Sequence, residues 1–225
     1  MKKEQMTIKK LYDTTKTMAG PYLEQYTYPW EVFPHIGKIV KELGNSLPAE
    51  EYQQVGEDVW IHKTVTVAPT ATIKGPAIFG RDTEIRPGAF VRGNVLVGEG
   101  CVVGNSTELK NVILFDSVQV PHYNYVGDSI LGYKSHMGAG SLTSNVKSDK
   151  TLVKVHGEDG DIETGLKKFG GAVGDFVEVG CGTVLNPGTV VGPHSNIYPL
   201  SSVRGCVNQH SIYKRDGVIV EKREQ

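Results

Sequence analysis

The stretch "EIRPGAFVRGNVLVGEGCVVG", Glu84 to Gly104, carries an apolar residue at every sixth position: Ile85, Val91, Val97 and Val103. The same count reaches back through Phe79, Ile73, Val67 and Ile61, and forward to Leu109 and Phe115. In a chain that is 39% hydrophobic, ten consecutive apolar hits arise by chance in roughly one register in ten thousand, so this periodicity is the primary signal. Four residues after a hit the side chain is usually small or β-branched: Val65, Ala71, Ala77, Thr83, Ala89, Val95, Cys101 and Thr107. Gly80, Gly98 and Gly104 directly follow a hit, as a tight corner requires. A second run covers Val173, Val179, Leu185, Val191, Ile197 and Val203, and Leu131 and Met137 share its phase.

Six residues are too few for a helical repeat and do not fit a heptad. One aliphatic and one small inward residue per six describe a β-solenoid with three short faces per coil. The predicted fold is an all-β solenoid, a left-handed parallel β-helix of hexapeptide repeats with a short helical N-terminal cap and one long inserted loop. An ordinary β-sandwich would need this spacing by coincidence. The two runs are out of phase. The first register ends near Phe115 and a shifted one begins by about Tyr125, which puts the expected break in "VPHYNYVGD", Val120 to Asp128, beside His122.

Residues 1–55 lack the repeat and hold most of the aromatics, with one expected helix from about Trp30 to Leu43, ended by Gly44. They read as a helical or irregular N-terminal cap over the open end of the solenoid. Residues 56–213 form the β-helix, and 214–225 a C-terminal tail. The segment from about 142 to 170 is polar and out of phase, so it is expected to leave the coil as a loop.

Composition excludes several function classes. A formal charge of −1 and a pI of about 6.7 give no footprint for nucleic acid. The N-terminus lacks the apolar core of a signal peptide, and no run is long enough to span a bilayer. Cys101, Cys181 and Cys206 are an odd, well-separated set, which suits reduced thiols in a cytoplasmic protein.

The stretches "GNSTELKN" and "VPHYNYVGDSILGYKSHMGAGSLTSN" resemble the acetyltransferase half of the bifunctional N-acetylglucosamine-1-phosphate uridyltransferase/glucosamine-1-phosphate acetyltransferase family. "RPGAFVRGNVLVGEGCVVGN" and "LNPGTVVGPHSNIYPLSSVRG" resemble the β-helix of the related sugar-1-phosphate nucleotidyltransferase-like proteins more closely still. The resemblance covers roughly residues 20–213. It implies an acyltransferase that N-acetylates an amino sugar, a hexosamine-1-phosphate of the glucosamine-1-phosphate type, from acetyl-CoA as co-substrate, with no metal. It also implies a homotrimer with the active site between adjacent prisms. The Gly-rich nucleotidyltransferase domain of those families is not in the sequence, so no nucleotidyl transfer is expected, and a separate nucleotidyltransferase is an expected partner.

Acetyl transfer to an amine needs a base, donors for the thioester oxygen as it turns anionic, and alignment of the reactants. The resemblance assigns the base to His122, since an imidazole accepts a proton near neutral pH. It assigns the oxyanion donor to the backbone N–H of Ala139. Substrate binding falls to Tyr125, Asn145, His136, Lys110 and Arg86, with Lys150 and Lys154 of the inserted loop reaching a neighbouring subunit's substrate. Because an extra coil separates Arg86 from Lys110, Arg92 is the better candidate by spacing. Ala139, Gly140, Cys181 and Tyr198 would hold acetyl-CoA. Three positions depart from the family: His136 replaces an asparagine, Val146 a tyrosine and Cys181 a serine, which puts the sugar's identity in doubt. The histidines show no pair five apart, as the zinc site of γ-type carbonic anhydrases would need. A non-catalytic scaffold or sugar-phosphate sensor, and an O-acetyltransferase, are the competing readings.

Overall fold

Every sixth residue turns inward and stacks on its equivalent in the next coil, and the parallel ladders record that register. The computed structural model describes residues 1–214 and 217–222. Its first face stacks Val59–His62, Ala77–Phe79, Val95–Val97, then the ends of Glu108–Leu114 and Tyr125–Leu131, then Gly171–Val173, Thr189–Val191 and Cys206–Val207. The second face runs from Thr66–Val67 through Val102–Asn105, Gln119–His122 and His136–Met137 to Ser211–Tyr213. The third runs from Thr72–Ile73 through Phe90–Val91 and the beginnings of the same two long strands to Leu142–Thr143, Val184–Leu185 and Ser202–Val203. The chain forms the hexapeptide β-helix that the repeat predicts.

The rhythm does not break at His122. Val120 to Val126 is a regular six, with Asn124 and Val126 buried and His122 exposed. The count loses one residue twice, once before that stretch and once at its far end rather than beside His122. Leu114 pairs with Val97 and Leu131 with Leu114, seventeen residues apart in each case, where the earlier coils repeat at eighteen. Each lost residue is at the corner between third and first faces, at Lys110–Asn111 and at Gly127–Asp128. Asn111 and Asp128 there take left-handed φ values of 54° and 47°, which side chains with a short polar group tolerate best. Shortening the corner lets one strand run through it, which is why Glu108–Leu114 and Tyr125–Leu131 are seven residues long.

The N-terminal segment is helical as expected: 3-10 turns, a longer 3-10 stretch Pro29–His35 and the α-helix Ile36–Ser46. It lies along a flank rather than across the open end. Leu11 O accepts from Asp175 N (3.1 Å) and Lys16 O from Asp116 N (3.0 Å), while the helix reaches Trp60 in the first coil. The reason is on the first face, whose outward residues Ile78, Leu96, Ile113, Ile130, Ala172 and Val190 are apolar and fully buried. A strand apolar on both sides needs a cover. Ile36, Ile39 and Val40 supply it, at about 1.5–3 kcal/mol per fully buried side chain. Gly44 does not end the helix; it packs on the Trp60 indole, where a Cβ would collide with the ring.

The insert leaves the coil as expected, but it carries structure of its own. It leaves the same third-to-first corner, forms the hairpin Lys154–Gly157 with Gly160–Glu163, and folds back onto the solenoid. Val153, Val155 and Phe169 are fully buried, with Phe169 5.7 Å from Trp30 and 5.1 Å from Phe33 between ring centroids. In the expected tail, Ile219–Glu221 pairs antiparallel with Ser211–Tyr213; residues 215–216 and 223–225 lie outside the described ones. Among the described residues no helix is long and apolar enough to cross a membrane.

Candidate active site

The third face has two edges, and the residues singled out from the sequence divide between them. Along the second-to-third edge, His122, Ala139 and Cys181 occupy equivalent corners of successive coils. Gly140 N–H donates to His122 O (3.0 Å), Gly182 N–H to Ala139 O (2.8 Å) and Leu200 N–H to Cys181 O (2.8 Å). Neighbouring coils are about 4.8 Å apart, the spacing of hydrogen-bonded strands. His122, Ala139 and Cys181 are all exposed. Gly138 N–H is bonded to Val179 O (2.7 Å), but among the described residues the Ala139 N–H between Gly138 and Gly140 has no protein acceptor. An exposed histidine and a backbone N–H without a protein acceptor therefore occupy neighbouring corners of one edge. Gly140 has a φ of 69° and open space where a Cβ would be, so this rim is unobstructed there, while Tyr123 and Leu200 stand out from it at 66% and 74% exposure. Tyr198, also exposed, follows Cys181 along the same edge.

Asn124 fixes these two corners to each other from inside the coil. It is 2% exposed, its Oδ1 accepts from His122 N–H (3.1 Å), and its Nδ2 donates to Gly138 O (2.9 Å) and Ser141 O (3.0 Å). It stands where other coils carry a small residue such as Thr107 or Ser141, and it was not among the residues singled out from the sequence.

The third-to-first edge carries the second cluster. Lys110 Nζ is 2.9 Å from Asp128 Oδ1, Asn111 Nδ2 donates to the same oxygen (3.0 Å), and Asn145 Nδ2 donates to Asp128 Oδ2 (2.5 Å) and to Tyr125 Oη (3.1 Å). Tyr125 points outward from the third face, and Val126 is the core residue beside it. Burial, and then the Asp128 charge, push its phenol above the usual tyrosine value. Arg92 occupies the adjacent rung, hydrogen-bonded to Glu108 (2.7 Å), which raises its guanidinium further. Asp128, Asn111 and Glu108 were not found from the sequence. The signal was available: "LKNVIL" and "VGDSIL", Leu109–Leu114 and Val126–Leu131, each step five residues between inward positions.

Other expected residues lie apart from both clusters. Arg86 is on the His122 edge, two coils earlier, and bonds Glu84 (3.0 Å), so it does not join Lys110; Arg92 does. His136 stands on the second face against Glu178 (2.8 Å). Lys154 is held by Glu163 (2.6 Å) within the docked insert, beside a cavity of about 480 Å³ that Lys147, His156, Asn186 and Arg204 also line. Lys150 is exposed.

Residues 73–167 match the family described as the GMPPB C-terminal domain. Over 222 residues the chain is 31% identical to the bifunctional protein GlmU of Methanococcus vannielii, across 96% of this chain and 53% of the relative. It is 29% identical over 166 residues to a bifunctional sugar-1-phosphate nucleotidylyltransferase/acetyltransferase of Sulfurisphaera tokodaii, across 66% of this chain and 41% of that one. The chain thus spans about half the length of the curated relatives it matches. Among solved structures it is similar to a hexapeptide transferase family protein from Anaplasma phagocytophilum, at 16% identity and TM-score 0.42, covering 74% of this chain and 81% of that one.

Proposed function

For a hexapeptide-repeat β-helix protein similar to the bifunctional GlmU proteins, we propose acetyl-CoA-dependent N-acetylation of an amino sugar carried as its 1-phosphate. The observation that carries this reading is the adjacency of exposed His122 to the unengaged N–H of Ala139. The amine nitrogen attacks the thioester carbonyl carbon, His122 takes the amine's proton and passes it to the sulfur, and the C–S bond breaks to release coenzyme A as its thiol. Ala139 N–H receives the charge that develops on the carbonyl oxygen, and a fixed donor of this kind needs no reorganisation as the charge forms. The coenzyme's arm runs along the edge past Gly140, Cys181 and Tyr198. Tyr125 and Asn145 hold the sugar, and Lys110 and Arg92 meet its phosphate. The relative named as a sugar-1-phosphate nucleotidylyltransferase/acetyltransferase supports this choice. The reading includes a C₃ trimer, in which each site draws on two subunits and Lys150 and Lys154 serve the neighbour's. Mass spectrometry of acceptors incubated with acetyl-CoA tests it: one acetyl group on glucosamine- or galactosamine-1-phosphate is expected. Acetylation confined to sugar hydroxyls would replace N- by O-transfer.

A further inference from the structure

Asp128 is the one residue that touches most of the acceptor edge. Its side chain is 5% exposed against 25% for Lys110, so the carboxylate is the deeper partner of the pair and the lysine the more exposed one. Its two oxygens receive Lys110, Asn111 and Asn145, and Asn145 passes the constraint on to the Tyr125 hydroxyl. Its backbone joins in, because Asp128 O accepts from Gly170 N–H (2.8 Å), where the insert re-enters the coil. The two shortened corners make this possible. They place Lys110 and Gly127 in direct register, so that Asp128 comes under the lysine of the preceding coil.

We infer that Asp128 is the positioning residue of the acceptor edge, aiming Lys110 and Asn145 at a phosphorylated amino sugar without touching it. The inference rests on the function proposed above. A lysine side chain is a flexible stem with a point charge at its end. Held by a buried carboxylate, it meets a phosphate with its rotamer already chosen, and ordering that is complete before binding is not subtracted from affinity. Asn145 gains in the same way, since both its Nδ2 hydrogens are engaged and its amide orientation is fixed.

The test compares wild type, Asp128→Asn, Lys110→Met and the double variant in steady-state acetyl transfer to glucosamine-1-phosphate, with thermal midpoints for all four. Asp128→Asn and Lys110→Met should each raise the KM for the sugar phosphate at least tenfold and leave the KM for acetyl-CoA within twofold. The double variant should have a KM within a few-fold of that of Lys110→Met, because Asp128 acts mainly through Lys110 and, for the remainder, through Asn145. Its thermal midpoint should exceed that of Asp128→Asn, since removing both partners of a buried pair costs less than leaving one unpaired. If Asp128→Asn fails to fold, the comparison of the double variant with Lys110→Met still decides. An unchanged sugar-phosphate KM in Asp128→Asn, or a double variant tenfold worse than Lys110→Met, overturns the inference and leaves the proposed function standing. A wild type that acetylates no amino sugar removes both.

Discussion

His122 carries the heaviest assignment of any residue, and its surroundings suit the work. It stands at a regular corner, exposed, with its backbone tied through Asn124 to the corner that offers Ala139 N–H. His122→Ala is expected to lower kcat/KM by about 10²–10⁴-fold, the usual contribution of a positioned base, with acetyl-CoA binding retained in a direct binding assay. Asn124→Ala should lower kcat by about tenfold or more, because the two corners lose their common tether; a loss of about 1–3 kcal/mol in stability accompanies it, from the His122 N–H and the Ser141 carbonyl that lose their partner. A variant that loses stability with kcat intact would reduce Asn124 to a structural role. His122, Ala139, Cys181, Lys110, Tyr125 and Asn145 could all be picked from the sequence, because each sits in a motif with a recognisable chemical purpose. Asp128 was not: in "YVGD" an aspartate after glycine reads as a turn former, and the five-residue step from Val126 to Leu131 marks only a shortened corner there. Only the register between coils shows that it lies under Lys110.

Among the elements, the strands were legible and their coverings were not. Period six identifies inward residues, and those are the ones found in the core: Phe79, Ile85, Val91, Val97, Val103 and Leu109 are all buried. The outward apolar row from Ile78 to Val190 was the missed signal, since a face apolar on both sides implies that something lies over it. That cover is the N-terminal segment, with the insert docked beside it through Phe169. Phe169→Ala should cost about 3–5 kcal/mol, the usual range for deleting a buried phenylalanine. Denaturant unfolding and limited proteolysis would check it, with new cleavage in 144–170 expected. Unchanged stability would mean that the insert is not docked in solution.

At the scale of the whole molecule, the N-terminal segment is bound to the solenoid through Asp175. This carboxylate accepts N–H bonds from Asp13 (2.6 Å) in the N-terminal segment and Tyr133 (2.7 Å) in the coil. Burial outweighs those two bonds and lifts its pKa from 3.8 to about 6. A carboxyl raised on folding favours the native state while it is protonated. Its contribution is therefore complete below about pH 4 and is lost as pH rises through about 6. Unfolding free energies of wild type and Asp175→Asn, taken from pH 4 to 8, should diverge across that window and run parallel above it; parallel curves throughout would contradict the assignment. Assembly is also open to a direct check: light scattering should give a mass near three times the 24.5 kDa of one chain.

The central claim is acetyl transfer driven by His122, and one measurement meets it directly: thiol release from acetyl-CoA in the presence of glucosamine-1-phosphate, for wild type and His122→Ala side by side. The account predicts steady release with wild type that depends on the sugar phosphate and falls at least a hundredfold in the variant. Equal rates in the two proteins, or no sugar-dependent release from wild type, would contradict it.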